Sequence, residues 1–306
     1  MDMDHPDRSR FEAWLMENPA HQAAYQEVEE VSQKLNSPQE INQLSAALKS
    51  QSEAKRSNRI KSTVAAISVF LFATVGFVGY QHWQVQPVLH MAAVSNVGEV
   101  KTQQLEDGTK VTINSKSDME ITYYRDKRVA KLNSGEVIFE VARDENRPFI
   151  VDSGTTKITV LGTRFAVNRL KNLVRVSVDH GRVRVESQEP TENANAHPIT
   201  LTNNQVAEVI QNAQPRKVDR SAEDGFSFEQ GIVTFDNADL AEITETIARY
   251  RAQPIILSSV DGTESRISAR VSADNIEGFL SRLPKLLPVQ LHNESGETII
   301  TGQKKK

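Results

Sequence analysis

Hydrophobic positions recur along this chain in three patterns, and each predicts a different kind of module. In "ENPAHQAAYQEVEEVSQKL" the residues Ala24, Val28, Val31 and Leu35 fall at helical spacing, with Asn18 placed as N-cap and Pro19 at the first helical position. Before it, "FEAWL" supplies Phe11, Trp14 and Leu15; after it, "SPQE" is a capping box, Ser37 to Glu40, opening a helix striped by Ile41, Leu44 and Leu48. From about Val94 to Ile210 the period drops to two. There "EDGTKVTI" reads as a turn and strand, "SGEVIFEVA" alternates Val137, Phe139 and Val141, and "LVRVSVDHGRVRVES" predicts a hairpin of valines about a glycine turn. Many short strands with regular turns predict an all-β sandwich or barrel. From Gly231 strands and helices alternate: "GIVTFDNADLAEITETIARYRAQPIIL" is strand, helix and strand, the helix striped by Leu240, Ile243, Ile247 and Tyr250. Then "RISARVSADNIEGFLSRL" is a strand and a helix, with Asp274 and Glu277 in capping-box positions, and "VQLHNESGETIITG" closes a small α+β module as a hairpin.

A fourth pattern has no period. From Ser62 to Tyr80 the chain carries no charge over about 19 residues, roughly 28 Å as a helix, which predicts a membrane-spanning helix. Some sixty polar residues precede it, so it is not read as a cleaved signal peptide. Lys55, Arg56, Arg59 and Lys61 crowd its N-terminal side, and Tyr80 and Trp83 follow it as an aromatic belt would. The expected topology is a single-pass protein of a bacterial inner membrane, N-terminus cytoplasmic and C-terminus periplasmic. The organisation predicted is a small all-α domain over 1–59, the span over 60–83, a linker over 84–93, an all-β domain over 94–210, a linker over 211–230 and the α+β module over 231–303.

Composition narrows the chemistry. The net charge of −4 over 306 residues argues against a nucleic-acid-binding surface. With no cysteine, disulfide scaffolds, thiolate zinc sites and cysteine nucleophiles are excluded. No metal or cofactor site is expected. His180 of the all-β region sits in a turn with no acid or second ligand at useful spacing, and no set of nucleophile, base and oxyanion donor marks a hydrolase. One stretch stands out. In "ITVLGTRFAV", Ile158 and Val160 share one parity and Phe165 and Val167 the other, so the chain slips by one residue between them, and Gly162 is placed for a β-bulge.

The ordered pieces "LEDGTKVTI", "LNSGEVIFEVA", "RPFIV", "VLGTRFAV" and "VSVDHGRVRV" resemble the periplasmic region of the FecR-type transmembrane sensors, bacterial anti-sigma regulators of iron-siderophore uptake. "FEAWLMENPAHQAAYQEV" is similar to the family's cytoplasmic anti-sigma domain, and the last module to the short N-terminal domain shared by secretins and TonB-dependent receptors. Family cytoplasmic domains usually carry another helix, with its own tryptophan, ahead of this segment. Here only ten residues precede Phe11, which implies a short domain or a start upstream of Met1. The resemblance implies an extracytoplasmic-function sigma factor held through Phe11, Trp14, Leu15, Ala24, Tyr25 and Val28. It also implies a signal received from the signalling domain of a TonB-dependent outer-membrane receptor, and relay by periplasmic and intramembrane proteases. No enzyme activity on a separate substrate is implied, only a self-cleavage that some members undergo at the bond matching Gly162–Thr163. The alternative is an envelope-assembly protein that docks through its secretin-like module and has no sigma partner.

Overall fold

A computed structural model describes residues 7–35, 42–43, 45–46, 49, 67–188, 197–258, 265–294 and 296–302. The chain divides into two units, Met1–Tyr80 and Gln81–Lys306. In the first, α1 (Asp7–Glu17) and α2 (Pro19–Leu35) form a helical hairpin that turns at Asn18. The Asn18 side chain accepts from the Ala20 N–H at 2.9 Å, the N-cap role expected of it. The capping box Ser37–Glu40 and the stripe Ile41, Leu44 and Leu48 lie outside the described residues.

A third helix, α3, covers 67–84. The membrane-spanning helix expected over 60–83 is corrected here, and with it the expected class of multidomain membrane protein. Among the described residues no helix is long and apolar enough to cross a membrane. Described α3 is apolar from Ile67 to Tyr80 and turns polar at Gln81, His82 and Gln84, which leaves about 21 Å of apolar helix against the roughly 30 Å of a bilayer core. Its apolar side chains, Phe70 and Phe72 among them, are exposed. Trp83, expected in an aromatic belt, instead lies under the Arg125 guanidinium at 3.9 Å, and Arg125 also donates to the Trp83 carbonyl at 2.7 Å. Most of the chain is the β-rich second unit, preceded by a small helical part.

That unit is built on a two-sheet sandwich. Along one sheet run β1 (Leu89–Val94), β4 (Asp118–Tyr123), β5 (Arg128–Glu140), β6 (Phe149–Asp152), β7 (Thr156–Val160), β10 (Val183–Ser187) and β11 (Ile199–Leu201). Along the other run β2 (Lys101–Gln104), β3 (Lys110–Ile113), β5 again, β8 (Arg164–Arg169), β9 (Leu173–His180), β12 (Val206–Ile210) and β13 (Arg216–Val218). Strand β5 therefore belongs to both. Its first half pairs with β4 and β6, its second with β3 and β8. The inward residues change parity between the halves, from Arg128, Ala130 and Leu132 to Val137 and Phe139. The change is made at Gly135, whose φ of +99° suits only glycine and whose absent Cβ would lie 2.1 Å from the Ser117 hydroxyl.

The same rule explains "ITVLGTRFAV". The parity slip is not a bulge inside one strand: β7 ends at Val160 in the first sheet, β8 starts at Arg164 in the second, and Leu161–Thr163 turns the corner between them. The expected valine hairpin is corrected on the same ground. β9 pairs with β8 and β12, β10 with β7 and β11, and Gly181, at φ +102°, carries the chain back from the second sheet to the first. The two expected linkers also carry structure. Residues 84–93 include most of β1, whose Leu89, Met91 and Ala93 pack on the core, and 211–230 hold β13 and a 3-10 helix, Ala222–Gln230. Phe228 of that helix buries itself on Ile138 and Ala166, on the outer face of the second sheet.

The C-terminal module has its own core. β14 (Ile232–Ala238) pairs with β16 (Ile267–Ser272); β15 (Ile255–Ser258), β18 (Glu297–Gly302) and β17 (Val289–Glu294) form a second small sheet. Helices α4 (Leu240–Ile247) and α5 (Ile276–Leu286) contribute Leu240, Ile243, Ile247, Phe279, Leu280 and Leu283 to the core that the two sheets share. The α5 cap differs from expectation. A short 3-10 turn, Ala273–Asn275, shifts the N-cap to Asn275, and Glu277 reaches Arg251 at 2.8 Å instead of closing a capping box.

Gly135→Ala should destabilise the sandwich by about 3 kcal/mol, since a Cβ there meets Ser117 in a backbone conformation that L-residues disfavour. Urea unfolding at neutral pH measures this, with Gly98→Ala, whose φ of +76° carries strain but whose Cβ would meet nothing within 4 Å, as the strain-only comparison.

Candidate functional site

The expected sigma-contact residues fall into two groups. Phe11 lies 5.2 Å from Tyr25 edge to face and 6.1 Å from Trp14, and Trp14 stacks on His21 at 4.2 Å. This aromatic group joins α1 to α2, yet each of Phe11, Trp14 and Tyr25 keeps more than a third of its surface exposed. Leu15 is half-buried, Ala24 is exposed, and Val28 is 67% exposed on α2, apart from any described core. His21 was not singled out in the sequence. Its Nδ1 lies 2.9 Å from the Trp14 carbonyl, which holds the ring parallel to the indole.

Gly162 and Thr163 lie where two corners of the sandwich meet. A Cβ on Gly162 would stand 2.8 Å from the Arg143 Cα, so the close approach of the two backbones requires glycine there. Thr163 is buried, and its Oγ1 donates to the Arg182 carbonyl at 3.1 Å and accepts from the Arg182 N–H at 3.3 Å. Gly181, in the facing corner, would drive a Cβ to 2.7 Å from that hydroxyl. The Thr163 carbonyl accepts from Val141 N–H at 3.0 Å. Among the described residues the hydroxyl contacts no side-chain base. His180, nearest in sequence to this corner, is 61% exposed on its side chain and contacts Asp179.

Two charged clusters carry the electrostatics, and neither was read from the sequence. Arg128, 0% exposed, donates to Asp107 at 2.6 Å, to the Ala142 carbonyl at 3.0 Å and to the Arg147 carbonyl at 2.9 Å. Tyr123 and Thr109 also donate to Asp107. Burial would raise the Asp107 carboxyl, but hydrogen bonds from Arg128, Tyr123 and Thr109 outweigh it and hold the group below its ordinary range. The cluster ties the start of β5 to the β2–β3 turn. A second cluster seats the C-terminal module. Arg175 on β9 bridges Glu208 on β12 at 2.9 Å and Glu242 on α4 at 2.7 Å. Arg249 donates to Asn168 at 2.9 Å and faces Glu136 on β5 at 3.7 Å, while Tyr250 donates to Asn114 at 2.8 Å and Ser115 to the Arg249 carbonyl at 2.5 Å. Burial pushes the Glu136 carboxyl up despite Arg249 and Asn114; Arg175, Arg220 and Arg216 pull Glu208 down against its own burial.

Residues 92–184 match the family described as FecR protein, and residues 2–31 match a domain of unknown function, DUF4880. No curated protein matches the chain. Two solved structures from Parabacteroides distasonis, each described as a candidate anti-sigma factor, share the fold. One is 25% identical with a TM-score of 0.62 and covers 71% of this chain and 100% of its own; the other is 24% identical with a TM-score of 0.61, covering 70% and 100%.

The Asp107 cluster sets a pH dependence. Because the folded carboxyl titrates below its unfolded value, its contribution is present above the unfolded pKa and is lost as pH falls through the folded one. Asp107→Asn should cost about 3 kcal/mol or more at neutral pH, by leaving Arg128 buried and unpaired, and should flatten the acid limb of the stability curve. Urea midpoints taken from neutral to acidic pH measure both.

Proposed function

We propose that this chain is an anti-sigma regulator of the FecR type. Its helical hairpin holds an extracytoplasmic-function sigma factor, and its β-rich unit receives a signal from the signalling domain of a TonB-dependent outer-membrane receptor. The observation that carries the reading is the hairpin surface. Two short helices cannot bury Phe11, Trp14, Tyr25 and Val28 between themselves, and exposed aromatics at helical spacing are the usual anchors of a partner interface. The match to the FecR family and the fold shared with the candidate anti-sigma factors support it.

For the Gly162–Thr163 bond two readings compete. Self-cleavage would need the Thr163 hydroxyl to attack the Gly162 carbonyl carbon. The C–N bond then breaks, its nitrogen takes the proton, and water hydrolyses the resulting ester. The geometry favours a structural role, because the hydroxyl spends its proton on the Arg182 carbonyl and fastens one corner to the other.

Two experiments test these readings. The full chain carrying Trp14→Asp and Leu15→Asp should lose at least about 100-fold in capture of its cognate sigma factor, as removal of two central anchors does; undiminished co-purification removes both residues from the interface. On a denaturing gel, cleavage requires two fragments from wild type and Thr163→Ser and one intact chain from Thr163→Ala. The corner role requires three intact chains, with Thr163→Ala less stable by about 1–3 kcal/mol for its unpaired backbone groups and Thr163→Ser close to wild type.

A further inference from the structure

The small β14–β16 sheet has one edge covered and one open. On the β14 side the 3-10 helix closes the strand: Ser227 Oγ is hydrogen-bonded to the Ile232 carbonyl and to the Thr234 hydroxyl, both at 3.0 Å. β16 pairs with β14 alone among the described strands, so its other edge presents backbone N–H and C=O groups with no strand beside them. A groove runs along this edge, with α5 as its far wall. Val271, Phe279 and Leu286 give it an apolar lining, and Leu286 is left 55% exposed. Among the described residues its charge has one sign: Arg270, Arg282 and Lys285 line the groove and no carboxylate does, in a chain whose net charge is negative. Arg270 is committed to Asp224 at 2.7 Å. Arg282 and Lys285 are exposed and have no ion pair or hydrogen bond among the described residues.

We propose that this groove takes an extended, acidic segment of a partner protein, which adds to β16 as a third strand. Main-chain hydrogen bonds to the open edge would supply affinity, since they need no particular sequence. Side chains of the added strand that point toward α5 meet Leu286 in the groove and Arg282 and Lys285 at its rim. Carboxylates interspersed with apolar residues are therefore preferred, and lysines at the same positions are repelled. A solvated face would carry both signs; an open strand edge, an exposed leucine and two unpaired cations in one groove together fit a polypeptide strand. The inference deepens the receiving role proposed for the β-rich unit, and its test uses neither sigma factor nor receptor, so the two can fail separately.

The probe is a labelled nine-residue peptide in which threonine alternates with glutamate and valine, titrated with the full chain and read by fluorescence anisotropy. Binding is expected, weakened at least about tenfold when lysine replaces glutamate and by a similar factor when alternate amides are N-methylated. Arg282→Glu with Lys285→Glu should also weaken it at least about tenfold at an unchanged thermal midpoint, and the pair Arg282→Gln with Lys285→Gln should lose less. No binding of the glutamate peptide at millimolar concentration overturns the proposal. So does equal binding of the glutamate and lysine peptides, of the N-methylated one, or of the glutamate peptide by the doubly charge-reversed chain. If Arg282→Glu with Lys285→Glu lowers the thermal midpoint, the glutamine pair decides, and its undiminished binding is equally fatal.

Discussion

The sandwich depends on one strand serving two sheets. Because β5 pairs with β4 and β6 in its first half and with β3 and β8 in its second, the two sheets cannot slide past one another without breaking its backbone. A strand can turn this way only if its inward face changes parity, and that change needs a residue without a Cβ where Ser117 closes in. The constraint recurs at the corners marked by Gly162 and Gly181, which the Thr163 hydroxyl joins. The rings of Phe139, Phe149 and Phe165, drawn from β5, β6 and β8, then pack between the sheets that these corners hold in register, Phe139 stacked on Phe165 and tilted against Phe149.

This geometry explains what the sequence disclosed and what it hid. Alternation in "SGEVIFEVA" gave the inward residues Val137 and Phe139, and helical spacing gave Ile243 and Ile247, because those patterns depend only on local period and burial. The parity slip in "ITVLGTRFAV" was visible too. Its meaning was not, since a bulge within a strand and a corner between sheets leave the same trace. The valines of β9 and β10 misled for a related reason: a glycine turn between alternating runs looks alike whether the second strand folds back on the first or crosses to the other sheet. Only pairings distant in sequence, β9 with β12 and β10 with β7, decide it. For α3, freedom from charge suggested a span, whereas described apolar length is what failed.

The charged clusters were hidden more deeply. Glu242 at the start of α4 has the ordinary placement of a helix-opening acid, and only the fold brings it onto Arg175, far away in sequence. The same holds for Glu136 and Arg249 and for Asp107 and Arg128. Such pairs gain little net stability over apolar packing, because burial strips both partners of water. They do penalise other seatings that keep this face dry, since Arg175 would lose Glu242 and Glu136 would lose Arg249. The apolar cores of the sandwich and the module are separate clusters, and the orientation between them is written mainly in polar contacts.

The two units therefore differ in the kind of surface each offers. The helical hairpin is too small to cover its own aromatics and leaves Phe11, Trp14 and Tyr25 partly open. The β-rich unit buries Phe139, Phe149 and Phe165 in its core, fixes its corners with glycines and hydroxyls, and seats its last module with charge. The contacts that join the module to the second sheet run through Arg175 to Glu242 and through Arg249 to Asn168. At the Gly162–Thr163 corner the Thr163 hydroxyl is held to the Arg182 backbone, so it could attack the Gly162 carbonyl carbon only after the two corners had parted.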